Sequence, residues 1–188
     1  CANAWWWHSE FDTLDKGDKE ILALDTKVSL GAVMELCNAD VLPIDHVATG
    51  REVHDFVQGL AEGVGSHVDL APALAETRRF LGAAERLEAA KAGARGAEAR
   101  KVNDVLMRLS RVLNPVSYSQ AGRFQHDPAE WSPIMRATST YAMGGLARAA
   151  ALPAMAGQHE YGFLRAQVVR ERNRLVTALR EATRLVEA

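Results

Sequence analysis

The sequence predicts an all-α protein, an antiparallel bundle of four to five helices with a long irregular loop near 115–133. Three observations predict it. Among 188 residues stand 32 alanines and only three isoleucines, a balance that favours helix because alanine loses no side-chain entropy there. Apolar residues recur at steps of three and four through most of the chain, the spacing of helices with one buried face. Hydrophobic residues make up 48% and charged residues 24%, which suits a packed core and neither a disordered tail nor a membrane bundle. An all-β barrel or sandwich is excluded.

The first helix is expected over residues 18–40, with Ile21, Leu24, Val28, Ala32, Leu36 and Ala39 on its buried face and Val41-Leu42-Pro43 ending it. Thr49 stands three residues before Glu52, a capping-box spacing, and Val53, Phe56, Val57, Leu60 and Val64 continue a second stripe that frays at Gly63 and Gly65. Asp69 with Pro72 just inside reads as a third start, carrying Leu74, Thr77, Leu81, Ala84 and Leu87 inward. A fourth helix over 98–113 turns Val102, Val105, Leu106, Leu109 and Val112 inward. Asn114-Pro115 should stop it, because the residue before proline avoids the helical region.

Beyond Pro115 the periodicity is lost, and Tyr118, Arg123, Phe124, His126, Asp127 and Trp131 crowd a stretch too long for a simple connector. Residues 138–151 read as a short helix weakened by Gly144-Gly145. From Glu160 to the C-terminus a long helix is expected, with Leu164, Val168, Leu175, Leu179, Ala182 and Leu185 buried.

Charge excludes some partners. Twenty-two Lys and Arg against 24 Asp and Glu leave a formal charge of -2, with no general attraction to nucleic acid or anionic lipid. No apolar run reaches the length of a membrane span, since 144–157 is broken by Arg148 and Pro153. Cys1 and Cys37 are too few for a disulfide scaffold, and Cys37 is expected to be buried in the first helix. The chain opens without methionine, on Cys1-Ala2-Asn3-Ala4 and three tryptophans, as a processed or truncated chain would. Such a start assigns no location to the chain.

The segment that demands a chemical explanation surrounds His8. A neutral imidazole is a common zinc ligand, and Glu10, Asp12 and Asp15 stand close enough in sequence to bind metal or orient the ring. A stable site needs three or four convergent ligands, and no second histidine lies at metal-ligand spacing. The residues alone leave open a self-contained metal-dependent hydrolase using His8 with Asp12 or Asp15.

Trp7-His8-Ser9-Glu10-Phe11-Asp12-Thr13-Leu14-Asp15-Lys16 resembles the last metal-ligand motif of the co-catalytic zinc peptidases related to glutamate carboxypeptidase and the transferrin receptor. Met34-Glu35-Leu36-Cys37-Asn38-Ala39-Asp40-Val41-Leu42-Pro43-Ile44-Asp45 is similar to that family's passage into its helical C-terminal domain. The stretch from Leu113-Asn114-Pro115 to Asp127-Pro128-Ala129, with the tail Phe163-Leu164-Arg165 and Arg170-Glu171-Arg172-Asn173-Arg174, resembles bacterial members. The resemblance spans nearly the whole chain.

It implies a remnant of the catalytic domain at 1–17, carrying His8 as a zinc ligand, followed by a dimerisation domain at 18–188. The other zinc ligands, the bridging carboxylate and the general-base glutamate belong to a preceding catalytic domain of the same polypeptide. Zinc is then the cofactor of the parent enzyme, an aminopeptidase or carboxypeptidase, and none is expected in this fragment. The expected partners are a second copy in a homodimer and that catalytic domain. A non-enzymatic homologue, as the transferrin receptor is, remains open.

Tyr118, Arg123 and His126 are the candidates for a substrate pocket, since in related enzymes the helical domain helps wall the active site. Arginine binds carboxylates bidentately, but Arg123 equally suits a helix cap or a pair with Asp127. Arg165, Arg170, Arg172, Arg174, Arg180 and Arg184 make the last helix basic, interrupted by Glu171, Glu181 and Glu187. They read as a solvated face or an inter-subunit salt-bridge surface. Met34, Val33, Cys37, Met135, Tyr141, Met143 and Met155 are apolar surplus, some of it expected at the interface between copies or, alternatively, beneath the missing catalytic domain.

Overall fold

The computed structural model describes residues 5–6, 8–119 and 143–188. Every regular element among them is helical: α1 (Lys19–Asn38), α2 (His46–Val64), α3 (Ala71–Lys91), α4 (Gly96–Tyr118), the short α5 (Gly144–Ala147) and α6 (Tyr161–Glu187), with 3-10 turns at Leu14–Lys16, Gly65–His67 and Arg148–Ala151. The all-α bundle expected from the sequence is present.

Its core lies between α2, α3, α4 and α6, and α3 packs along both α2 and α6. Phe80 on α3, Leu106 and Leu109 on α4 and Leu179 on α6 are sealed from solvent at its centre. Gly50 on α2 faces Phe80 and Leu81 while His54 reaches Thr77, so α2 and α3 run antiparallel, as a short connection requires. Contacts of Arg172 with Asp69, Arg180 with Glu76 and Glu187 with Arg86 show α6 running in the same sense as α3.

Three helix starts use aspartate, and at α2 it takes the role that the capping-box spacing assigns to Thr49. Asp18 accepts from the amides of Glu20 and Ile21 to cap α1. Asp45, and not Thr49, caps α2 by accepting from Val47 and Ala48, which places Thr49 inside the first turn. Asp69 accepts from Ala71 at 2.9 Å at the start of α3. The connector from α1 to α2 is fastened by Asn103 of α4, which donates to the Asp40 carbonyl and accepts from the Leu42 amide.

Three expectations are corrected. The helix α4 does not stop at Asn114-Pro115 but continues to Tyr118. Proline's missing N–H leaves one helical carbonyl without its donor. Burial of Leu113 and Ser117, and arginine caps on the last turn, outweigh that loss. Cys37 is exposed rather than buried. The helix α1 forms where the periodicity placed it, yet no residue of it is buried. Ile21, Leu22, Leu24, Val28, Leu30, Val33, Met34 and Leu36 each remain about half exposed or more, because α1 packs against no other helix to any extent. A further difference concerns Met143, which is buried in the core and is not surface surplus.

Candidate functional site

The chemistry expected from the sequence is approached at two described places, the turn around His8 and the end of α4 at Tyr118, where Ser117 meets Met143. Among the described residues only His8 and Met143 combine a side chain with positive φ, at 60° and 56°. A non-glycine residue in that left-handed region carries steric strain, and such strain concentrates at functional segments.

At the first place the His8 amide donates to Asp12 Oδ2 at 3.3 Å, and the Ser9 hydroxyl donates to the Trp6 carbonyl at 2.7 Å. Asp15 accepts from Lys16 and from Thr13, hydrogen bonds that hold its carboxyl below the usual carboxylate range. Asp12 and Asp15 therefore also shape the turn. The ring of Trp5, itself 75% exposed, meets Phe11 at 5.6 Å between centroids. Among the described residues no three His, Cys, Asp or Glu side chains are grouped to hold a metal ion, so a zinc at His8 would take its remaining ligands from elsewhere.

The second place is a closed stem. The Met143 amide donates to the Ser117 carbonyl at 2.6 Å, joining the end of α4 to the residue that precedes α5. Arg174 of α6 donates to the carbonyls of Pro115 and Ser119, and such side-chain donors satisfy the carbonyls that a helix end leaves open. Glu171 pairs with Arg174 at 3.3 Å, and Gly145 lies against the Glu171 side chain so closely that a Cβ there would come within 2.7 Å of it.

Tyr118 closes α4 beside this stem and is 64% exposed. Arg123 and His126, the other two pocket candidates, lie outside the described residues, as do Asp127 and Trp131. The structure adds Gly145, Glu171 and Arg174 to the neighbourhood of Tyr118. Arg174 stood in the sequence only as one of several basic residues, and nothing local marked it as the one facing the helix end.

His46, His54 and His67 serve the bundle. His54 meets the Thr77 hydroxyl and His67 the Tyr161 hydroxyl, both at 2.9 Å. His46 is buried, with Nε2 3.0 Å from the Leu106 carbonyl. No described helix is long and apolar enough to cross a membrane. No family model matches the chain, and neither a curated protein nor a solved structure matches it.

Proposed function

We propose that the chain is the helical, transferrin-receptor-like dimerisation domain of a zinc-dependent exopeptidase of glutamate carboxypeptidase type, working as a homodimer and inactive apart from its catalytic body. The observation that carries this reading is α1. An exposed apolar surface of this extent marks a face that another body covers, and the eight large side chains left half exposed on α1 forgo roughly 10 kcal/mol of gross burial. They follow directly on the turn that carries His8. Among the described α-helices, α1, which packs along no other helix, adjoins the segment resembling a metal-ligand motif, which supports a catalytic layer covering both.

In this reading His8 contributes one ligand to a metal centre completed by the catalytic body, and zinc there would acidify a bound water and polarise the scissile carbonyl. Tyr118 closes α4 beside the contacts made by Arg174, and in this reading it would wall the substrate pocket together with Arg123 and His126, which lie outside the described residues. The test is immunoprecipitation from the source cells with an antibody raised against this chain. The expected product is a longer polypeptide carrying chelator-sensitive exopeptidase activity. A longer polypeptide without peptidase activity would point to a receptor-like homologue, and a product of only 188 residues would overturn the reading.

A further inference from the structure

Away from both places, a cleft of about 270 Å³ opens between α3 and α6, lined by Glu76, Arg79, Arg180, Thr183, Arg184 and Glu187. Its floor is a buried carboxylate. Glu76 is only 5% exposed, and it accepts from Arg180 Nε at 2.8 Å through one oxygen while Arg79 Nη1 stands 3.6 Å from the other. A buried carboxylate that lost these partners would be strongly disfavoured. Each guanidinium is thus held near Glu76 through a single nitrogen, and the Nη groups of Arg180 remain available as donors.

Charge in the cleft is unbalanced. Arg184 follows Arg180 by about one helical turn, lines the same cleft, and has no ion-pair or hydrogen-bond partner among the described residues. Glu187 is engaged by Arg86 at 3.0 Å, so Glu76 alone faces Arg79, Arg180 and Arg184. Two positive charges remain over. The Thr183 hydroxyl donates to the Leu179 carbonyl and offers no proton to the cleft. Guanidinium forks recognise planar or tetrahedral oxyanions through paired N–H groups.

We propose that this α3–α6 cleft binds a doubly charged oxyanion of the phosphate class, with Arg184 and the free Nη groups of Arg180 and Arg79 as donors and Glu76 as the buried group that orients the arginines. A tetrahedral dianion matches both the surplus of two charges and the approach of three guanidinium groups from two helices. The source is either inorganic phosphate or the phosphate of a small organic monoester.

The experiment titrates the purified 188-residue chain with inorganic phosphate by calorimetry at constant ionic strength set with chloride, and repeats the titration with a phosphomonoester and with succinate. Saturable one-to-one binding of phosphate is the expected result, and a tighter monoester would identify an organic phosphate as the source. Arg184→Gln, which breaks no contact in the fold, should weaken binding about tenfold, the loss of one charge-assisted hydrogen bond. No heat beyond the chloride control, an Arg184→Gln variant that binds as well as the parent, or succinate binding without phosphate binding would each overturn the proposal.

Discussion

Arg174 of α6 donates to the Pro115 carbonyl at 2.6 Å and so caps the turn that α4 adds beyond its own proline. The same guanidinium reaches the Ser119 carbonyl at 3.2 Å and pairs with Glu171. One partly buried side chain therefore serves as the C-terminal cap of α4, ties α4 to α6, and fixes the stem beside Tyr118.

Replacing Arg174 with alanine should cost about 2 kcal/mol, the worth of charged hydrogen bonds to carbonyls that are left without a donor. Urea unfolding followed by circular dichroism measures it. An unchanged midpoint would show that solvent caps α4 equally well.

Gly145→Ala should destabilise the protein by about 1–3 kcal/mol through overpacking. The new Cβ would fall within 2.8 Å of the Glu171 side chain, and its Cγ, not just the flexible carboxylate tip, would have to move. That movement breaks the pair with Arg174. In a double-mutant cycle, Glu171→Ala should relieve most of the cost, whereas additive effects would mean the backbone of α5 is what yields.

How much of this was legible in the sequence depended on whether a residue's role was local. The stripe of α6, from Leu164 through Val168, Leu175 and Leu179 to Ala182, is buried as its spacing demands. The stripe of α1 has the same spacing and is exposed, because periodicity reports that a helix forms and not what covers it. At Pro115 a sound local rule failed, and the residue that caps the added turn, Arg174, lies 59 residues away. The basic run of α6 likewise conceals distinct tasks: Arg165 and Arg172 donate to the backbone carbonyls of His67 and Asp69 ahead of α3, and Arg180 holds Glu76. Such pairings arise from three-dimensional proximity, for which charge patterning along one helix carries no signal.

His46 gives a prediction in pH. Burial lowers its pKa from the ordinary 6.5, and the positive charge of Lys91 acts in the same direction, against the Leu106 carbonyl and Asp45. Nδ1 has no hydrogen-bond partner, so a second ring proton would be buried without an acceptor. With the folded pKa below the unfolded one, the unfolded state binds more protons as pH falls below about 6.5, and stability drops. Above that value the contribution is complete. Unfolding free energies should therefore fall between pH 7 and pH 5, and His46→Gln should flatten that part of the slope while a parallel slope would assign it to other groups.

Zinc should bind the chain weakly at His8, because affinity comes from several preorganised ligands and Asp12 and Asp15 are engaged in the turn itself. Calorimetric titration with zinc is expected to give no stoichiometric submicromolar site. Such a site, abolished by His8→Ala, would favour a self-contained metal-dependent hydrolase over the proposed domain.

The last prediction separates α1 from the bundle. Leu109 is fully buried, and Leu109→Ala should cost about 2–5 kcal/mol through the cavity it leaves. Val28→Glu with Met34→Glu should change stability by only about 0.5 kcal/mol, since both side chains are more than half exposed and α1 leans on no other helix. Their effect should appear in solubility, because an exposed apolar patch of this size drives association. Sedimentation velocity of the parent chain is expected to show concentration-dependent species beyond the dimer, and the doubly charged variant a dimer alone. A monomeric variant would instead identify α1 as the contact between copies, whereas unfolding of the variant would mean that α1 is packed against the bundle after all.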